Sequence, residues 1–337
     1  MIDRSRLDKI DSLGMCKVYD KWPEIAESNF NMDSEPIECD KIDHVVFAGM
    51  GGSGSLSDIF SAILSKSNIH VSVVKGYHLP KTVNSDTLVV TTTVSGNTTE
   101  TLSVLNSATK QNCKVIGFTS GNKMEEYCIK NKIECRKIEQ IHSPRSSFPA
   151  FLYSMLNTLK PILPIEKNDV LESISHLKNQ HAKISSENLS DTNPAISLAE
   201  WIVGIPVIYY PWGLEAAAIR FKNSFQENAK SHAMAEDVIE ACHNGIVAWE
   251  KKTNVQPVLI RGQDDFVKTV ERWKILKSFF EKNGIEYKEI VSVQGNIVSK
   301  IINLIYLLDF TTIYHSILNG IDPSPVSSID FIKNHLS

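Results

Sequence analysis

Short β-branched runs alternate with segments whose apolar residues recur at helical spacing along most of this chain. His44-Val45-Val46-Phe47-Ala48 reads as a first strand, and Leu56, Ile59, Phe60, Ile63 and Leu64 after it line one face of a helix. Val71–Val74, Leu88–Thr92, Lys114–Thr119 and Glu134–Ile138 read as further strands with helical segments between most of them. Pro144-Arg145 opens a helix with Phe148, Phe151, Leu152, Met155 and Leu156 on its apolar face. The second half repeats the alternation: strands at Pro206–Pro211, Pro257–Arg261 and Tyr287–Val293, and helices after Gly213, over Phe266–Phe280 and over Ile297–Leu318. A short helix, Ile329–Leu336, closes the chain, and residues 1–40 read as a polar helical lead-in packed on the surface. Such alternation predicts an α/β fold of βαβ units, with parallel sheets covered on both faces and ligands outside the strand C-termini. Pro161 and Pro164 mark a boundary, giving a first domain over 1–162 and a second over 163–337.

Two loops fall where such a sheet binds ligands. Gly49-Met50-Gly51-Gly52-Ser53-Gly54 follows the first strand directly. It satisfies the dinucleotide pattern GxGxxG, but the second strand runs into Lys75-Gly76-Tyr77 with no carboxylate for ribose hydroxyls, so nicotinamide or flavin is disfavoured. No glycine is followed by the Lys-Ser/Thr of a P-loop at the required spacing. The second loop, within Thr91–Thr101, sets hydroxyls around Gly96 between a strand and a helix predicted to begin near Thr98, with Asn97 and Glu100 as an N-cap pair. Thr93, Ser95, Thr98 and Thr101 there suit either a phosphate held by neutral donors or a Ser/Thr-rich surface turn. Taken together, the loops describe a phosphosugar pocket: glycines 49, 51 and 52 let a ligand approach the backbone, and the hydroxyls take its phosphate.

Charge and composition narrow the partners. A formal net charge of -4 offers no basic field, which disfavours nucleic acid or an anionic membrane as partner. Ile297–Leu318 is the most apolar late segment, but Lys300, Asn303, Asp309 and His315 within it indicate a buried helix and not a membrane span. The first ten residues lack an apolar core of signal-peptide length. Six cysteines (16, 39, 113, 128, 135 and 242) show no metal-ligand spacing and read as reduced packing thiols of a cytoplasmic protein.

Candidate chemistry lies in the second half. Glu227 falls at the end of an amphipathic helix, where a carboxylate faces the negative end of the helix dipole and can serve as a general base, or else pairs with Lys230 on a solvated face. His243 is a second candidate or else a packing or capping histidine, while on residue type and spacing alone Arg145 reads as a surface residue at a helix start and Lys333 as a solvated side chain.

The order GMGGSG, TVSGNTTET, Pro144-Arg145, Gln226-Glu227-Asn228-Ala229-Lys230, His243-Asn244 and the tail Gly320-Ile-Asp-Pro-Ser-Pro-Val…Ile329…Lys333 resembles the bifunctional phosphoglucose/phosphomannose isomerases. This branch of the sugar isomerase (SIS) superfamily is matched over about residues 40–337. The resemblance implies two SIS domains, each a five-stranded parallel sheet sandwiched between helices in a flavodoxin-like αβα arrangement. It implies a homodimer with shared active sites and a C-terminal helix returning to the site, and neither metal nor organic cofactor. The implied activity is aldose–ketose isomerisation of glucose 6-phosphate, and of mannose 6-phosphate, to fructose 6-phosphate through a cis-enediolate. Gly51, Gly52, Ser53, Thr93, Ser95, Asn97 and Thr98 would bind substrate, the loop residues from Thr93 onward mainly through its phosphate. Arg145 would steady the enediolate and Glu227 would shuttle the proton, while His243 of the neighbouring subunit would open the sugar ring with Lys333.

The chain departs from the family pattern at Gly245, where an acidic residue is usual, at Ile239-Glu240, where Pro-Glu is usual, and at Val326-Ser327-Ser328, where no matching threonine can be placed. Competing readings are a phosphosugar sensor without turnover and a SIS isomerase for another sugar phosphate. An amidotransferase would carry a cysteine-nucleophile domain ahead of its isomerase half, which the start Met1-Ile2-Asp3 argues against.

Overall fold

The computed structural model describes residues 2–39 and 41–336. Three short helices come first, α1 (Arg4–Ile10), α2 (Met15–Asp20) and α3 (Trp22–Phe30). The first α/β unit then runs β1 (His44–Ala48), α4 (Gly51–Leu64), β2 (His70–Val74), β3 (Thr87–Thr93), α5 (Thr99–Ala108), β4 (Lys114–Thr119), α6 (Asn122–Asn131) and β5 (Glu134–Lys137). After α7 (Phe148–Thr158), α8 (Lys167–Ile184) and α9 (Pro194–Trp201) the pattern resumes with β6 (Ile205–Tyr210), α10 (Glu215–Ala229), β7 (Met234–Asp237) and α11 (Val238–Ala241). It ends through β8 (Val255–Arg261), α12 (Val267–Lys282), β9 (Lys288–Val291), α13 (Ile297–Leu318) and α14 (Ser327–His335).

Every strand pairing is parallel. The first sheet has the order β2-β1-β3-β4-β5, the flavodoxin-like arrangement, whose order reverses between β1 and β3. The second sheet has the order β7-β6-β8-β9, the same path without its last edge strand. The expected five strands are therefore four in the second unit among the described residues. After β9 the chain turns at Gly295, with φ +117°, into the long, largely buried α13, which packs under the unit and does not return to the sheet. The outer edge is left to charged pairs, with Glu289 of β9 held by Arg261 at 2.8 Å and Lys277 at 3.0 Å.

The lead-in is not a surface feature. Tyr19 and Trp22 are fully buried, and the Trp22 ring stacks on Tyr19, Tyr306 and Phe148 at centroid distances of 4.4, 5.4 and 6.0 Å. Three aromatic residues in a polar 40-residue stretch are too sparse for a sequence pattern, yet two of them, Tyr19 and Trp22, plug the space between α7 and α13. One apolar core runs from Ile2 to Ile317 and joins both units through α3, α7, α8, α10 and α13. Helix α13, as its charged interruptions suggest, is buried inside the protein with 83% of its apolar window covered. All six cysteines are free thiols.

Candidate active site

β1 and β3 are neighbours, with Ala48 in register with Thr91, so their C-terminal ends deliver the two predicted loops side by side at the switch point. The glycine segment is mostly helix: α4 begins at Gly51, and Gly51, Gly52 and Ser53 form its first turn, whose N–H groups have no intrahelical acceptor. Gly51 has φ +54° and faces open space, whereas Ser53 is buried. A Cβ on Gly52 would lie 3.6 Å from the Arg145 Cα, which brings the glycine turn against the start of α7.

The hydroxyl loop closes on itself. Thr93 Oγ1 lies 2.8 Å from Thr98 Oγ1 and 3.5 Å from Ser95 Oγ, and Ser95 Oγ accepts from the Asn97 N–H at 3.4 Å. Gly96, at φ +70°, makes the bend, and a Cβ there would come within 1.9 Å of the Gly121 carbonyl oxygen, so only glycine fits. The start of α6 braces it: the Met124 N–H donates to Gly96 O, and Asn122 Nδ2 donates to Ser95 O at 2.9 Å. The expected Asn97–Glu100 cap does not form. The left-handed bend delays the helix by a residue, Thr98 is the N-cap, and the Glu100 carboxylate accepts instead from Tyr77 Oη and Thr99 Oγ1. Asn97 is exposed at the rim.

Arg145 is no surface residue: it is 5% exposed and lies in the turn ahead of α7. Its Nε donates to Asn228 Oδ1 at 2.7 Å, and Nη2 to the Pro323 and Ser324 carbonyls at 2.7 and 2.8 Å. Nη1 is thereby turned toward Glu227 Oε2, 3.5 Å away. Glu227 sits in the last turn of α10 with a quarter of its side chain exposed. It does not pair with the Lys230 ammonium, which donates to backbone carbonyls. Beneath this pair lies a second arginine. Arg220 Nη2 donates to the Arg145 carbonyl at 2.9 Å and to Asp309 Oδ2 at 2.6 Å, and its guanidinium stacks 3.9 Å over Phe148. Asn228 Nδ2 donates to Thr312 Oγ1, which donates to the Asp309 carbonyl, closing the ring of contacts. Sequence reasoning missed Arg220, Asn228 and Trp22. The available signal was a charge inside an apolar segment, Asp309, which implies a buried partner.

His243 and Lys333 are not brought to Glu227 by this chain. His243 is exposed after α11, and Lys333 is exposed on α14; neither side chain makes a hydrogen bond among the described residues. Gly245 has a local reason: a Cβ there would lie 2.7 Å from Glu236 Oε2 at the end of β7, so a carboxylate already occupies the space beside it. Burial, with Glu240 and Asp237 nearby, pushes the Glu236 pKa up. Among the described residues no group of His, Cys, Asp and Glu is arranged to hold a metal ion.

Two family models match the chain: the SIS domain over residues 39–159 and the bacterial phospho-glucose isomerase C-terminal SIS domain over residues 191–336. A bifunctional phosphoglucose/phosphomannose isomerase of Caldicellulosiruptor bescii is 31% identical over 313 residues, 89% of this chain and 91% of that protein. Its namesake in Aquifex aeolicus is 30% identical over 87% of this chain and 90% of that protein. A D-glucosamine-6-phosphate 4-epimerase of Sulfolobus acidocaldarius is 26% identical over 73% of this chain and 77% of that protein. In architecture the chain is similar to the C-terminal domain of glucosamine-fructose-6-phosphate aminotransferase from Francisella tularensis. The TM-score is 0.69 at 16% identity, covering 93% of this chain and 98% of that one.

Proposed function

The chain belongs to the bifunctional phosphoglucose/phosphomannose isomerase family, and from that premise we propose how its site works. The protein is an aldose–ketose isomerase that interconverts glucose 6-phosphate and mannose 6-phosphate with fructose 6-phosphate. The two aldoses differ only at C2, and loss of the C2 proton gives both the same enediolate, so one base serves both when rotation about C2–C3 presents either C2 hydrogen to it.

The phosphate rests on Ser95, Thr98 and Thr93 and on the free N–H groups opening α5, with Asn97 at the rim. Gly51, Gly52 and Ser53 pass the sugar close to the backbone. Glu227 removes the proton from C2 of the open-chain aldose and returns it to C1, and Arg145 Nη1 stabilises the oxygen that becomes anionic. Ring opening falls to Lys333 and to His243 of a second copy, in a cytoplasmic homodimer with shared sites. The exposure of both side chains in the single chain supports that division. The observation that carries this reading is the 3.5 Å approach of a carboxylate to a guanidinium whose other nitrogens are already committed.

A coupled assay with the three hexose phosphates tests the activity, and Glu227→Gln tests the base. The variant keeps shape but cannot take a proton from carbon, so kcat should fall by roughly 10²–10⁴-fold with sugar-phosphate binding nearly intact. Deuterium at C2 should wash partly into solvent during wild-type turnover. A Glu227→Gln enzyme with most of its kcat would remove Glu227 from this role.

A further inference from the structure

Lys230 follows α10 at φ +54°, a left-handed position that glycine or asparagine usually fills at a helix end. A lysine accepts that strain here, and its ammonium is fully engaged. Nζ donates to Glu227 O at 2.8 Å and Asn228 O at 3.3 Å on the helix side, and to Asp322 O and Pro323 O, both at 3.0 Å, across the site. The Pro323 carbonyl is shared, since Arg145 Nη2 donates to it as well. Two cations therefore grip one turn, which leads directly into α14 and Lys333. We propose that Lys230 is a positioning residue that fastens the Glu227 end of α10 to the 322–324 turn, fixing base, guanidinium and C-terminal helix relative to one another. The catalytic consequence rests on the isomerase reading above; the mechanical one does not.

The charged and titratable groups facing Nζ are Arg145 from the turn before α7, Glu227 from α10 and Asp322 from the tail. Partial burial, and then the Arg145 guanidinium, lower the Lys230 pKa to about 8, against the two carboxylates. Below that pH the ammonium offers three donors to its carbonyls. Above it the neutral amine offers two and no charge, and the clamp loosens, so activity should fall on an alkaline limb near pH 8.

The test compares Lys230→Met, Lys230→Gly and Lys230→Arg in the full chain. Lys230→Gly relieves the backbone strain, so it folds even if Lys230→Met does not. Both should lose about 10²-fold in kcat through misplacement of the base, with KM changed by less than about threefold. Amide exchange over 321–324 should quicken by about tenfold as the turn opens locally. Lys230→Arg stays charged, keeps most of the activity and loses the limb near pH 8. A fully active Lys230→Gly, or a limb unchanged in Lys230→Arg, would overturn the proposal. A wild type that turns over none of the three hexose phosphates counts against the isomerase reading alone. Amide exchange then decides: unchanged protection of the turn in Lys230→Gly overturns the clamp, and faster exchange upholds it.

Discussion

Arg220 and Asp309 carry opposite charges with side chains 2% and 0% exposed, and Arg220 holds the Arg145 carbonyl from beneath. Asp309 Oδ2 accepts from Tyr19 Oη at 3.1 Å as well as from Arg220. Its Oδ1 is buried with no partner among the described residues. Such a pair gains little net stability, because desolvation offsets the attraction, but removing one member strands the other charge in the core. Arg220→Met should therefore cost about 3–5 kcal/mol in urea unfolding, and Arg220→Met with Asp309→Leu should recover much of that loss. The double variant should still turn over poorly, because the Arg145 carbonyl has lost its donor. Full activity in the double variant would show that Arg145 keeps its place unaided.

At the scale of elements, the hydroxyl loop is a strand end, a left-handed bend and a helix start locked to the next loop of the same sheet. The lock sets its shape: Gly96 fits under the Gly121 carbonyl, and the Thr93 and Thr98 hydroxyls touch. Removing Ser95 and Thr98 hydroxyls together should raise KM strongly, each donor to the anion being worth roughly 1.5–3 kcal/mol, while kcat changes less. An unchanged KM for fructose 6-phosphate in Ser95→Ala/Thr98→Ala would place the phosphate elsewhere. The strand–helix alternation and the glycine and hydroxyl turns were legible because sheet and helix periodicity and positive-φ glycine are local properties. β7 (Met234–Asp237) was not, since Ser231-His-Ala-Met-Ala-Glu-Asp237 has no β-branched run, and pairing with β6 alone makes it a strand.

The whole molecule joins its two units through one core, so the site is assembled from residues far apart in sequence: the turn at 49–54, Arg145, Glu227 and the 322–324 tail. What remains outside this assembly is His243, and α14 lies on the surface with Phe331 and Ile332 exposed. A second copy supplying His243 makes a direct forecast. Inactive Glu227→Gln mixed with inactive His243→Ala should regain part of the activity after subunit exchange, since one of the two sites in each heterodimer is intact. Verified heterodimers that stay inactive would mean that each copy completes its own site.

The sequence by itself determined the α/β class, the first sheet's strands, the placing of the glycine and hydroxyl loops at strand ends, and the family, because periodicity, turn chemistry and motif order are written locally. Tertiary structure alone decided that the N-terminal helices enter the core, that the second sheet stops at four strands, and that Arg145 is buried against Glu227. It also decided that Lys230 grips carbonyls and not a carboxylate. The reason is physical: burial and ion pairing depend on which distant segments fill the same space, and those contacts span up to 312 positions along the chain.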